Sequence, residues 1–375
     1  MPSANKVLIV GGGIGGLALS IGLRRAAIDV EVVEIKQQWT VYHVGIIAQS
    51  NLIRAMVAFG VADDCVAAGF PYQGVRFCDA NGNVFSDSPG VRLAGPQYPA
   101  YLGLTRPALH NVLSSAAKKA GVTIRLGVTV SELLQSPDRV TVKFTDGSAR
   151  EYDLVVGADG VHSQIRETVF SADLRPKFTG EGVWRYNVPR PPDVGYGSIY
   201  ATREGPKAGL IPLTRETAYI FRIGPEPGNP RFPKDELAAI MRERLKPFGG
   251  AIGELARGIT NPELVVYRPL ESVLVPAPWY RGRVALIGDA AHTITPHLGQ
   301  GAAQAVEDAV VLADELRKDV PLKHSLDSFV RRRFERCKFI LEASLQIGEW
   351  EMHPDPGADM ASLMAKVGQT VMQPI

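Results

Sequence analysis

The 375-residue sequence predicts an α/β fold. A Rossmann-like GxGxxG dinucleotide-binding domain is assembled from separated stretches, a second domain built on an antiparallel β-sheet is inserted into it, and helices close the C-terminus. Three observations carry this prediction. The chain opens on a strand, a glycine-rich turn and a helix in unbroken succession. Two more β-branched runs, Asp153–Gly157 and Arg283–Ile287, lie far downstream and each leads into glycine and aspartate. From about 180 to 270, alternating segments and prolines at 189–192 and 225–233 replace that pattern, as in an antiparallel sheet with one solvated face.

The first unit is βαβ. Lys6–Val10 (KVLIV) reads as a strand buried on both faces. Gly11–Gly16 follows as the turn, Leu17–Ala27 has helical apolar spacing, and Asp29–Ile35 is the second strand. Residues 41–72 read as loop and helix, and Gly74–Phe85 as strands around Asn81-Gly82-Asn83. Pro107–Gly121 is helical. Val122–Phe144 holds two strands, with Asp146-Gly147 as a hairpin turn. Asp153–Gly157 and Arg283–Ile287 are buried strands, a helix covers about Gly299–Leu316, and about 322–348 forms one or two helices. The dinucleotide-binding domain is thus expected over 1–72, 98–179 and 268–320. The inserted domain would take 73–97 and 180–267, and the helical tail 321–375.

Composition narrows the function. Lys and Arg total 41 against 39 for Asp and Glu, so neither nucleic acid nor an anionic membrane surface is expected as partner. Three cysteines, Cys65, Cys78 and Cys337, match no zinc spacing or disulfide framework, and no metal site is expected. The N-terminus lacks a signal-peptide pattern and no run is long enough to span a bilayer, so a cytoplasmic location is expected. Arg331-Arg332-Arg333 reads as a solvated helix face.

Three motifs carry chemistry. In the first, Gly11 permits a tight turn, Gly13 lets the backbone approach a pyrophosphate, and Gly16 allows helix–strand packing. Glu34, 23 positions after Gly11, can accept hydrogen bonds from a ribose diol and would repel a 2′-phosphate. FAD or NAD therefore suits this site. The second motif is Gly157-Ala158-Asp159-Gly160, followed by Ser163 and Arg166. The third places Asp289 between a strand end and the loop Pro296–Gly301, which feeds a helix N-terminus suited to a developing anion.

In this order, GxGxxG, GADG with Ser-x-x-Arg, and GDAAH with P-x-x-GQG and EDA closely resemble the flavoprotein aromatic hydroxylases. These are single-component FAD monooxygenases of the 4-hydroxybenzoate and salicylate hydroxylase type. The resemblance covers roughly residues 5–318. It implies that Gly11, Gly13 and Gly16 hold the FAD pyrophosphate and Glu34 the adenosine ribose. Arg106 would contact the diphosphate and ribityl region, and Asp159 would support FAD and nicotinamide nucleotide. Val130 would meet adenine through its backbone. Asp289 would bind the ribitol, while Pro296, Gly299, Gln300 and Gly301 line the isoalloxazine ring. His43 lies near the flavin in this reading, and Ile14, Gly15, Lys36 and Ala302 complete the cofactor set. His292 is expected to be structural.

The implied reaction uses NADH or NADPH and O2 to hydroxylate a small phenolic or heteroaromatic substrate through a C4a-hydroperoxyflavin, in a monomer or homodimer. His297, Tyr186 and Tyr200 are candidates for deprotonating the substrate, and Arg185 for holding an anionic substrate or phenolate. The chain departs from many relatives at Gln49-Ser50-Asn51 and Ala302-Ala303-Gln304, without losing a group that flavin chemistry needs. Epoxidation, oxidative decarboxylation or reduction of a non-aromatic substrate on the same scaffold stays open, as does a non-catalytic flavin-binding module. Trp184–Pro189 does not match the halogenase Trp-x-Trp-x-Ile-Pro motif, and no second GxGxxG appears.

Overall fold

The computed structural model describes residues 2–39, 41–202 and 205–375. A six-stranded sheet sits at its centre, in the order Tyr280–Arg281, Val284–Leu286, Leu154–Gly157, Lys6–Val10, Asp29–Glu34 and Thr123–Leu126. All neighbours are parallel except the first pair, which is an antiparallel edge hairpin. The central strands are apolar along their length because helices cover both faces. Those helices are Ile14–Arg25, Arg106–Lys119 and Gly301–Leu316. Asp153 fixes the register of the first strand, since its Oδ2 accepts from Asn5 N at 2.7 Å and Lys6 N at 2.9 Å.

A second sheet has eight strands in the order His292–Thr293, Val266–Leu274, Lys177–Pro189, Thr217–Pro225, Lys207–Pro212, Gly197–Ala201, Gly74–Asp79 and Val84–Pro89. Only the pair Gly197–Ala201 with Gly74–Asp79 is parallel. Strand alternation divides its side chains between two cores. Trp184, Tyr186, Val188, Tyr200 and Ile220 pack with the helices Leu237–Leu245 and Gly250–Ala256. Val183, Ile211, Leu213, Tyr219, Phe221 and Ile223 form the other face together with Tyr72.

Three expectations need correction. Residues 41–72 contain the strands Gly45–Gln49 and Phe70–Tyr72, which pair antiparallel with Tyr101–Thr105. These strands are short, and GIIAQ and FPY show no alternation to reveal them. Val122–Phe144 holds three strands, Thr123–Leu126, Val130–Gln135 and Val140–Phe144, because the turn at Gly127 (φ +74°) splits the first two. The arginine run is not a solvated face. One helix, Leu322–Met352, carries all three residues at about 100° per residue. Arg331 is exposed, Arg332 partly buried and Arg333 fully buried. Phe329 and Cys337 of the same helix lie in the main core. Among the described residues, no helix is long and apolar enough to cross a membrane.

Candidate active site

Three turns meet at the carboxyl ends of the parallel strands, where open α/β sheets bind ligands. The first is the glycine turn. Gly11 has φ +109°, and a Cβ there would lie 2.4 Å from the Ala158 carbonyl oxygen. At Gly16 a Cβ would meet the Gly11 carbonyl oxygen at 2.1 Å, so helix and strand touch backbone to backbone. Gly13 instead faces open space, and no side chain caps the helix it begins. Free N–H groups and the helix dipole thus point into a cradle that a phosphate fits. Ile14 opens this helix, and Gly15 packs towards Ala305. Glu34 accepts from Gly12 N at 2.9 Å and Lys36 N at 3.1 Å, leaving lone pairs for ribose hydroxyls. Gly127 N and Val128 N bond to the carbonyls of Lys36 and Glu34, which brings the strand containing Val130 to the same edge.

The second turn follows Leu154–Gly157. Asp159 Oδ1 accepts from Ser163 Oγ at 2.5 Å and Oδ2 from Ile165 N at 3.1 Å, while burial pushes its carboxyl pKa up. Arg166 is fully buried and donates to the carbonyls of Leu174, Val161 and Ala290. It thereby ties this turn to the third one.

The third turn runs from Gly288 to Gly301. The carboxylate of Asp289 makes no hydrogen bond among the described residues and stands exposed at the cleft, with the charges of His292 and Arg106 near it. Pro296 opens a short 3-10 turn that ends at Gly299, whose φ is +65°. Gly301 and Ala302 start a helix with no side-chain cap. Gln300 turns its side chain inward and bonds Gln49 at 2.7 Å and Asn51 at 2.9 Å. Gln304 joins them through Gln300 Oε1 at 3.0 Å. The two departures seen in the sequence, at 49–51 and 302–304, are therefore halves of one buried amide network.

Opposite these turns stands the Tyr219 face of the eight-stranded sheet. Arg185 pairs across with Phe221, and Asn187 with Tyr219. Burial, then the neighbouring Arg106, pushes the Arg185 guanidinium down to about 10. Burial pushes the Tyr219 phenol up, although Arg185 and Arg106 pull the other way. Neither guanidinium has a hydrogen bond or carboxylate ion pair among the described residues. Two unpaired, partly solvent-reached cations beside a phenol, facing Asp289, make an anion-receptive pocket.

Three of the four candidate acid–base and substrate groups lie elsewhere. Tyr186 and Tyr200 point to the far side of the sheet and pack in the core beneath Leu237–Leu245. Strand parity shows that Arg185 and Tyr186 take opposite faces, but not which face meets the cleft. The imidazole of His297 turns away towards Glu181 and Glu351, with a side chain only 1% exposed. His43 reaches out to the carbonyl of Leu264 at 2.9 Å. Sequence reasoning also missed Tyr219, although its place on the alternating run Ala218–Ile223 carried the signal. It missed Trp39 too, whose ring lies over Gly12 and 4.5 Å from that of His110.

Comparison with known proteins agrees with this fold. A family model described as "FAD binding domain" matches residues 4–343. The 2-heptyl-3-hydroxy-4(1H)-quinolone synthase of Pseudomonas aeruginosa is 33% identical, over 92% of this chain and 90% of that protein. Aurachin C monooxygenase/isomerase of Stigmatella aurantiaca is 32% identical, over 94% and 91%. The structure of Klebsiella pneumoniae HpxO complexed with FAD and uric acid shares the fold, with a TM-score of 0.85 at 24% identity, covering 98% and 92%.

Proposed function

We propose, from the premise that this chain belongs to the FAD binding domain family and is an FAD-dependent monooxygenase, that its substrate is a flat nitrogen heteroaromatic bearing an ionisable hydroxyl. The carrying observation is the unpaired Arg185 guanidinium beside Tyr219 on the sheet face opposite Asp289. The 33% identical relative is named for making a hydroxylated quinolone, which is a nitrogen heteroaromatic.

The residues fit FAD. The open cradle at Gly13 would take the pyrophosphate, Glu34 the adenosine ribose and Asp289 the ribityl hydroxyls. Arg106 would face the phosphates or ribityl chain, and the uncapped turn at Gly301 the ring. When bound, FAD supplies the redox chemistry, taking electrons from NADH or NADPH and delivering one oxygen atom of O2.

The protein contributes binding, orientation and charge. Arg185 would hold the substrate oxyanion and favour the ionised form, which makes the ring more nucleophilic. Tyr219 would hold a proton at Oη within the same pocket. The apolar residues Val183, Leu213 and Phe221 would exclude water around the ring.

The test is substrate-stimulated NAD(P)H oxidation across hydroxyquinolines, phenols and urate, with products identified by mass spectrometry. Arg185→Gln is expected to raise KM for the best substrate by about 10- to 100-fold, the value of a charge-assisted hydrogen bond. Tyr186→Phe, beneath the opposite face, should leave KM unchanged. A full flavin spectrum in both variants separates substrate binding from cofactor loss. Unaltered KM in Arg185→Gln would remove the assignment.

A further inference from the structure

We propose that Glu181, His297 and Glu351 form a binding site for one divalent transition-metal cation, typified by Zn2+. The site is independent of the monooxygenase reading and lies behind the flavin-facing loop. Its three donors come from three elements: the strand Lys177–Pro189, the turn Pro296–Leu298 and the last turn of the helix Leu322–Met352.

Hydrogen-bond accounting leads to the cation. Ser344 Oγ donates to the Thr295 carbonyl at 2.7 Å. Thr295 Oγ1 in turn donates to Ser344 Oγ at 2.9 Å. The hydroxyl of Thr295 has thus spent its proton, so its 3.1 Å contact with His297 Nδ1 requires Nδ1–H as donor. In the neutral ring, Nε2 then presents a lone pair. It lies 3.0 Å from Glu181 Oε2 and 3.6 Å from Glu351 Oε2. Lone pairs that close, in a buried place, repel unless a cation sits between them. A proton on Nε2 would be the smallest such cation, but Nε2 makes no hydrogen bond to Glu181 even at 3.0 Å, so an N–H there is not aimed at it, and Glu351 lies beyond hydrogen-bond reach. Glu181 is 1% exposed, and its other oxygen, Oε1, is also without a partner.

The spacing suits a metal. A tetrahedral zinc with bonds of about 2.0–2.1 Å sets its ligand atoms about 3.3 Å apart. Here the donor atoms all lie within 4.8 Å of one another, and the two measured separations bracket that edge. The Nδ1 hydrogen bond to Thr295 is the outer support that orients a ligating histidine. Gly348 supplies the room, since a Cβ there would lie 2.8 Å from Glu181 Oε2 and 3.0 Å from His297 Nε2. A cavity of about 410 Å3 adjoins the cluster and brings Glu342 and Glu349 to its wall, which makes the approach acidic. Lys207 holds the second oxygen of Glu351 at 2.6 Å and leaves Oε2 facing His297.

The experiment uses the FAD-loaded protein, dialysed against a chelator and titrated with Zn2+ in competition with a chromophoric chelator. Co2+ serves as the visible-absorbing probe. About one equivalent of Zn2+ should bind, with a rise in thermal midpoint from metal bound to the folded state alone. Glu181→Gln and Glu351→Gln should each weaken binding at least about tenfold, the cost already seen when only an outer support of a ligand is lost. Glu351 lies near the surface, so its variant tests the site even if Glu181→Gln folds poorly. If wild type binds no Zn2+, or if a folded Glu351→Gln protein binds it as tightly, the cluster is a proton-bridged ion pair only and the proposal falls.

Discussion

Gly13→Ala is expected to purify as a stable, well-folded protein that has lost its yellow colour, whereas Gly11→Ala should lose both flavin and stability. The two substitutions add the same methyl group two residues apart. At Gly13 the backbone is extended (φ −76°), a conformation any residue adopts, and the methyl would enter open space. The apo protein should lose at most about 1 kcal/mol, the difference between glycine and alanine at a helix N-cap. The methyl does occupy the cradle for the pyrophosphate, so FAD affinity should drop about 10- to 100-fold, or roughly 1.4–2.8 kcal/mol. At Gly11 the backbone is left-handed and the methyl would lie 2.4 Å from Ala158 O. Strain of about 1–3 kcal/mol comes on top of that clash. Flavin absorbance and thermal melting of apo and reconstituted proteins check both. Equal flavin retention in Gly13→Ala and wild type would mean that the open space is not the phosphate cradle.

Arg333→Ala should be strongly destabilising. Arg333 is 1% exposed and holds Asp308 and Glu307 at 2.8 Å each, plus Gln304 Oε1 at 2.6 Å. Asp308 also accepts from Gly288 N at 2.9 Å and pairs with His292 at 2.6 Å. Removing the guanidinium leaves two buried carboxylates short of charge, a loss of about 3–5 kcal/mol. The damage should reach the cofactor, because the same carboxylate fixes Gly288 beside Asp289. Denaturant unfolding measures the stability loss, and FAD titration the coupling.

The same knot sets an acid limit. Burial alone would raise the Asp308 pKa, but His292 and Arg333 hold it down at about 2, below its ordinary 3.8. A depressed carboxylate stabilises the fold above its unfolded pKa. This contribution should therefore be complete above about pH 4 and disappear as pH falls towards 2. Melting curves between pH 2 and 5 should show a steeper loss in wild type than in Arg333→Ala, where the carboxylates have already lost that partner.

The central sheet was legible because KVLIV, DLVVG and RVALI are β-branched runs that only a strand covered on both faces would use. The glycine turn and Asp289 were legible because their constraints are local: a positive φ, a close backbone approach, a turn at a strand end. What failed depends on distant partners. His297 looks like a base within its own loop, yet Glu181 and Glu351 decide where its ring points. Arg333 looks like one of three surface charges until helix phase sets it against Glu307. Tyr186 and Tyr219 are both tyrosines on adjacent strands, and only the layer packed on each side of the sheet separates a core residue from a cleft residue. Gln49 and Gln304 read as separate departures, because the residue that joins them, Gln300, lies four positions from Gln304 but 251 from Gln49.

The strand order of the central sheet also sets a timetable. Lys6–Val10 is the middle strand, but one flank, Leu154–Gly157, emerges from the ribosome nearly 150 residues later. At about 5–20 residues per second, the first strand waits roughly 7–30 s for that neighbour. The partner beyond it, Val284–Leu286, arrives later still, and Arg333 last of all. Throughout synthesis the growing chain carries an unpaired apolar edge, the kind of surface that other strands join. The protein should therefore depend on chaperones during translation more than a continuous domain of equal size. Any product halted before the helix Leu322–Met352 should aggregate rather than wait.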